Sequence, residues 1–534
     1  MVDFARAAAS VAAPGPGGLL RYDRAYIADY PEAPDAGRRY QYALWHPPGY
    51  LLALGLWRRL DPGAGDAWLR LFGVACGLGT VLLTAALGRL AGGPLAGALA
   101  GLVLALSPFA VQSALLLDAE GTLLPLTAAA CALLTLRSTG ALQDCRRRRR
   151  GERLPAAGPL AGVAVAFGAL LWSKPATGLA IFLVLLTWTA AQRVAATASR
   201  LAVAGAAGAA GAVLLWLALA LLAGLPPLRP AQDLVAALGQ VGGGRPLPLV
   251  YLVGLIRGAQ WLHPLLLCLL VAAPLALRRH QPGAALLAAG GGAALLLLGK
   301  LAAGSPKYLA GPLPLLAAVA GAALAGWLAA GGRRPATLVA GTACGAAAGA
   351  ALAASGPDAL VRGAGLEPLT LWLATGAALL ALGWRLGAAL PAALSLGLLA
   401  GSGLSTAAYQ ATLPVSTTYF YGAAGQAEAG RWLRRTLPPQ TAPAVVADRE
   451  VAYYAGDVHF VDTERWLDAL AGERPGLPPL ELGHIRMVVS RDERVRLRMR
   501  DAAPLAVFGD YRVWRLPCCP DGSGDAASRP VPPA

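Results

Sequence analysis

The sequence predicts an α-helical polytopic membrane protein that ends in a small extracytoplasmic α/β domain. Three observations carry this prediction. Of 534 residues, 56% are hydrophobic and only 14% are charged, where soluble domains carry about 25% charged residues. The mean hydropathy is +0.55. Apolar runs recur about a dozen times along the chain, many near the roughly 17–25 residues that a bilayer requires. This composition excludes a water-soluble enzyme built on one packed core. It also excludes a disordered chain, which needs low hydrophobicity.

The elements follow in order. Residues 1–67 form a mixed polar and aromatic segment with one short apolar piece at 47–57. The apolar runs then fall at 68–88, 95–108, 121–137, 159–173, 176–192, 200–223, 258–277, 283–301, 309–330, 336–355, 367–384 and 388–410. Within them, Gly341, Gly345 and Gly349 repeat every four residues, a stripe that lets helices approach closely in lipid. Residues 411–516 are polar. Glu428–Leu437 has a helical pattern, and Ala444–Ala447, Ile485–Ser490 and Tyr511–Leu516 have strand patterns. Residues 517–534 form a Pro/Gly/Ser-rich, disordered tail.

The net charge of +16 sets the orientation. The loops after the first, third and every second span thereafter hold Arg89, Arg137, Arg146 to Arg150, Arg153, Arg193, Arg200, Arg278, Arg279, Arg333, Arg334 and Arg385. That is 15 basic residues against two acids, Asp144 and Glu152. The opposite loops hold seven basic residues against five acids. Basic excess marks the cytoplasmic side, so both ends of the chain are expected outside. Met1 to Leu20 lacks the charged start and apolar core of a secretory signal. A further transmembrane helix upstream of Met1 is therefore expected, giving about thirteen.

Three constellations carry candidate chemistry. The first is Asp23 in R-Y-D-R-A-Y, followed by W-H-P-P-G-Y at Trp45 to Tyr50. Paired prolines fix an extended chain that then opens a helix. Alone, the segment reads equally as an amphipathic membrane-surface anchor. The second is L-S-P-F at 106–109 followed by L-L-L-D-A-E-G at 115–121. Asp118 and Glu120 read as functional acids at membrane depth, or as the solvated start of a helix. The third is Lys174 in W-S-K-P and Lys307 in S-P-K-Y-L, beside Tyr308. Each lysine alone reads first as snorkelling to headgroups. An anionic phosphate ligand is the functional reading.

Together and in this order, these motifs resemble the GT-C membrane glycosyltransferases. The branch is the dolichyl-phosphate-mannose protein mannosyltransferase and aminoarabinose lipid A transferase group, in its bacterial, glycosyltransferase family 39-like form. The motifs cover roughly residues 20–320, and the layout extends to the C-terminus. The resemblance implies transfer of a sugar from a polyprenyl-phosphate donor to a lipid, glycan or protein acceptor on the outer face, usually with inversion. It implies Asp23 as the first catalytic acid, with Asp29 the weaker alternative. Many members carry Asp-Glu there, whereas Arg24 follows Asp23. The second acid falls on Glu120 or Asp118. His46, Arg70, Lys174, Lys307 and Tyr308 fall on the carrier-phosphate side of the site. No metal and no other cofactor is required. The expected location is the plasma (inner) membrane, with several passes and the C-terminal domain outside.

The rival reading is a polytopic transporter or lipid-linked sugar flippase. Transporters often show two related halves, and no internal repeat is visible. A non-catalytic scaffold is a third reading. Convergence of Asp23, Glu120, Lys174 and Lys307 on one cavity separates the enzyme from both. Arg146 to Arg150 has no aromatic interleaving, so anionic lipid explains it better than nucleic acid. The seven cysteines show no zinc-type spacing. In the C-terminal domain, Tyr453, Tyr454, His459 and Trp466 are candidates for acceptor binding or for core packing.

Overall fold

The structure is a computed structural model. It describes residues 48–63, 65–115, 117–147, 157–192, 195–222, 281–296, 306–330, 335–355, 378, 389–412, 425–437, 444–455, 460–471 and 485–516. The chain divides into a helical unit and a C-terminal unit, with the boundary after Leu413. Asp23, His46, the alternative acid Asp29 and the expected spans 258–277 and 367–384 (apart from position 378) lie outside the described residues.

The helical unit opens with α1, Gly49–Leu60, which starts directly after Pro48. It buries Tyr50, Leu51 and Leu54 and ends in Arg58 and Arg59, the two-faced pattern of a membrane-surface helix. It is pinned to α2, Asp66–Ala105, by two tryptophans. The Trp57 indole N–H donates to the Trp68 carbonyl at 2.9 Å, and the Trp68 indole N–H donates back to the Trp57 carbonyl at 3.2 Å. The rings stack with centroids 4.8 Å apart.

α2 contains the first expected span, 68–88, and most of the second, 95–108. Gly93 has φ +87° and Pro94 follows it, so the helical ladder breaks there. The second arm folds back on the first: a Cβ added at Gly97 would lie 2.7 Å from the Ala85 carbonyl oxygen. α3 (Pro108–Leu115) follows, then a short loop and α4, Leu123–Arg147. The sequence places Arg137 in an inner loop, yet α4 runs ten residues past it. Nothing from Ser138 to Arg147 breaks a helix outright, so the ladder continues beyond the apolar stretch.

α5 (Ala157–Ser173), α6 (Pro175–Ala191) and α7 (Ala195–Leu222) follow the expected boundaries closely. Phe167 of α5 stacks on Phe182 of α6 at 4.1 Å. α8 is Gln281–Leu296. A 3-10 turn at Pro306–Leu309 precedes α9, Leu313–Ala330. α10 (Pro335–Ser355) packs on α11 (Ala389–Thr412). The glycine stripe lies in that contact, with Gly345 and Gly349 against the carbonyls of Leu394 and Leu398. Among the described residues, Ala67–Ala105, Thr197–Leu222 and Leu390–Tyr409 are long and apolar enough to cross a membrane. The other helices that match expected spans are apolar but shorter.

The C-terminal unit holds α12 (Gln426–Thr436), β1 (Ala444–Ala447), α13 (Arg449–Ala455), β2 (Phe460–Asp462), α14 (Thr463–Ala471), β3 (Ile485–Ser490), α15 (Glu493–Arg498), β4 (Ala506–Phe508) and β5 (Tyr511–Arg515). The sheet order is β2-β1-β3-β5-β4, parallel across β2, β1 and β3 and antiparallel beyond. Strand alternation sends successive side chains to opposite faces. Val445, Ala447, Met487, Val489 and Val513 meet α12 and α13. Val446, Val488 and Trp514 meet Trp466 and Leu467 of α14 and Val495 of α15. Trp466 is a core residue, 5% exposed. Asp448, just past β1, ties three strand ends together. Its carboxylate accepts from the Thr463 hydroxyl at 2.6 Å, the Ser490 hydroxyl at 2.9 Å and the Arg491 amide at 3.4 Å.

Candidate active site

The site forms at one end of the helical unit, around the loop between α3 and α4. Asp118 and Glu120 sit in that loop and each is only 1% exposed. The solvated helix start is therefore excluded. The loop is held by its own polar atoms. The Asp118 carboxylate accepts from the Glu120 amide at 3.2 Å, and the Thr122 hydroxyl donates to the Asp118 carbonyl at 2.7 Å. Gly121 lies against the Ser113 carbonyl, where a Cβ would collide with backbone. The D-A-E-G order thus presents two carboxylates on a turn that only glycine closes.

Lys174 reaches this loop from the break between α5 and α6. Its backbone is extended, with φ −161° and ψ 104°, and Pro175 starts the next helix. The ammonium meets the Glu120 carboxylate at 2.5 Å, with the lysine side chain 9% exposed. Headgroup snorkelling is thereby excluded for Lys174. The same ammonium lies 5.4 Å from the centre of the Tyr308 ring, within cation–π range. Tyr308 is brought there by the 3-10 turn, because the segment that follows packs closely: a Cβ at Gly311 would lie 2.9 Å from Thr177 and 3.1 Å from Leu124. Lys307 precedes Tyr308 in the same turn.

Arg70, on the first arm of α2, donates from Nη1 to the Leu115 carbonyl at 2.7 Å, immediately before the acid loop. It is 8% exposed, and its Nε has no partner among the described residues. Tyr50 completes the cluster. Its hydroxyl lies beside Thr122 and the Asp118 carboxylate; burial first, then that carboxylate, holds its pKa well above the ordinary tyrosine value. Tyr50 is a neutral phenol that closes the W-H-P-P-G-Y motif, and nothing in that motif alone marks it as part of the site. Gly49 beside it packs on the Trp172 carbonyl, where a Cβ would lie at 2.9 Å.

Asp118, Glu120, Lys174 and Tyr308 thus converge, with Arg70 and Tyr50 at their edge. An apolar cavity of about 260 Å³ adjoins them, lined by Leu78, Val81, Val111, Leu115, Gly121 and Leu313 among others. Leu115 and Gly121 belong to both the cavity wall and the acid loop. The arrangement joins buried charge of both signs to an apolar cavity, which suits a ligand with a charged head and an apolar tail. Among the described residues no group of His, Cys, Asp and Glu is disposed to hold a metal ion.

No family model matches the sequence, and no curated protein matches it. Solved structures do match in fold. ArnT from Cupriavidus metallidurans aligns in its apo state with a TM-score of 0.54 at 17% identity, over 96% of this chain and 93% of that one. The same protein bound to undecaprenyl phosphate aligns with a TM-score of 0.52 over the same shares. The oligosaccharyltransferase of Archaeoglobus fulgidus aligns at 14% identity and a TM-score of 0.44, over 84% of this chain and 61% of that one. Over nearly its whole length, the chain has the fold of the ArnT structures.

Proposed function

We propose that the protein transfers a sugar from a polyprenyl-phosphate carrier to an acceptor on the extracytoplasmic face of the inner membrane. The observation that carries this reading is the buried Glu120–Lys174 pair against Tyr308 at the wall of an apolar cavity. The fold likeness to an ArnT structure bound to undecaprenyl phosphate supports the class of donor. The charge asymmetry of the loops supports the sidedness. In this reading residues 68–410 span the membrane, and 411–516 stand outside it with the loop of 1–67.

The reaction is a single displacement. An acceptor oxygen attacks the anomeric carbon, and the bond from that carbon to the phosphate oxygen breaks. The electron pair leaves with the polyprenyl phosphate, and inversion follows. The acceptor proton passes to a carboxylate, assigned to Asp23, a general-base role worth roughly 10²–10⁴ in rate. Lys174, Lys307, Arg70 and His46 offset the charge that grows on the leaving phosphate. Glu120 fixes the Lys174 ammonium, and Asp118 orients the acceptor. The apolar cavity takes the near end of the prenyl chain. The leaving group is already a phosphate monoester, so no metal or other cofactor is needed.

A screen of purified protein against polyprenyl-phosphate sugars, scored by release of polyprenyl phosphate, tests this. One donor class should react, and Asp23→Asn should slow it by roughly 10²–10⁴. Full transfer by Asp23→Asn at normal protein level removes Asp23 from the role.

A further inference from the structure

We propose that a cleft at the opposite end of the helical unit binds the headgroup of an anionic phospholipid. The cleft lies between the two arms of α2 and the side of α4. It holds about 730 Å³ and is lined by Arg89, Arg137, Leu90, Pro94, Gly97 and Ala98, with two further alanines. That volume falls within the roughly 300–1,000 Å³ of small-molecule sites. The lining is apolar apart from the two guanidiniums. Both arginines are exposed, and neither forms a hydrogen bond or ion pair with another described residue.

The placement follows from helix geometry. Arg89 stands 19 residues beyond Arg70 on one arm of α2, about 28 Å at 1.5 Å per residue. Arg137 stands 14 residues beyond Leu123 on α4, about 21 Å. The hydrocarbon core is about 30 Å thick. A unit whose acid loop lies at one membrane face therefore presents this cleft near the other, where the loops carry the basic excess. Two cations with no partner among the described residues, set in an apolar wall at headgroup level, fit a phosphodiester with attached acyl chains. Basic recesses between helices on the cytoplasmic side recognise such heads. A free phosphate shares the anionic chemistry but has no use for the apolar lining. Leu90, 36% exposed, continues that lining toward the lipid.

The test uses the purified full chain in a zwitterionic detergent, with phosphatidylglycerol added and retained lipid counted by native mass spectrometry. Wild type should retain phosphatidylglycerol over phosphatidylcholine. Arg89→Gln with Arg137→Gln should weaken retention about twenty-five-fold, two cations at roughly fivefold each. Arg89→Lys with Arg137→Lys should retain most of it. Ala98→Trp keeps both cations but fills the cleft, so it should also lose the lipid. Arg333→Gln with Arg334→Gln removes two basic residues from another loop on that side and should change nothing. Equal loss in that control, or full retention by both the double Gln variant and Ala98→Trp, overturns the proposal. Displacement by excess glycerol 3-phosphate overturns the lipid assignment. If the double Gln variant does not fold, Ala98→Trp decides.

Discussion

Removing one member of the Glu120–Lys174 pair should damage the protein more than removing both. The two side chains are 1% and 9% exposed and meet at 2.5 Å. A buried charge stripped of its partner costs about 3–5 kcal/mol, whereas replacing both charges by neutral groups of similar size is often neutral. Lys174→Met should therefore cost about 3–5 kcal/mol and lower the thermal midpoint in detergent by several degrees. Glu120→Gln should do the same. The double variant should recover most of the loss, which makes the coupling between the sites strongly favourable. Activity should behave differently. Each single and the double should lose roughly 10²–10³ in transfer rate, because in the proposed reaction the Lys174 cation, held by Glu120, also acts on the leaving phosphate. A melt by intrinsic fluorescence beside a donor-cleavage assay separates the two effects. Unchanged midpoints in both singles, or a double variant as unstable as the sum of the singles, would refute the reasoning.

Other outcomes follow from the same geometry. Trp57→Phe removes one of the two reciprocal indole-to-carbonyl bonds between α1 and α2 and should cost about 1 kcal/mol, read as faster proteolysis near residue 61 with the C-terminal unit unaffected. Val81→Trp fills the apolar cavity; it should raise KM for long-chain donors while leaving a short-chain donor near wild type. Asp448 has its pKa raised, first by burial, against the hydrogen bonds of Thr463 and Ser490. An acid with a raised folded pKa binds more protons folded than unfolded, so its contribution is fullest below the unfolded value of about 3.9 and is lost as pH rises through the folded one. Hydrogen-exchange protection of β1 and β3 in the full chain, taken relative to Asp448→Asn at each pH, should therefore fall as pH rises across that interval. A flat ratio contradicts this.

Much of the helical unit is legible in the sequence because lipid makes hydropathy an almost direct reading of helix position. The break at Gly92-Gly93-Pro94 is visible as a gap between apolar runs. The end of α4 is not, since the chain after Arg137 forms a helix without being apolar. That is why the Arg89–Arg137 cleft could not be read from sequence: Arg137 looks like a loop residue. In the C-terminal unit, β1, β3 and β5 carry clear patterns, while β2 and β4 have three residues each, too few to show alternation. At the site, the residue types are visible but the pairing is not. Glu120 and Lys174 are 54 positions apart, and only packing of the α5–α6 break on the α3–α4 loop joins them. Tyr50 is silent for the same reason, since a tyrosine after H-P-P-G reads as an interface aromatic until Asp118 is found beside it.

The most direct measurement of the central claim places purified protein in vesicles with one polyprenyl-phosphate sugar, labelled in the sugar and in the chain. Both labels are then followed across the bilayer and through chemistry. Glycosyl transfer predicts cleavage: the sugar label moves to an acceptor, the chain label becomes free polyprenyl phosphate, and both changes slow by roughly 10²–10³ in Glu120→Gln. Transbilayer movement of the intact donor with no cleavage, in any donor tried, would make the protein a flippase and contradict the account.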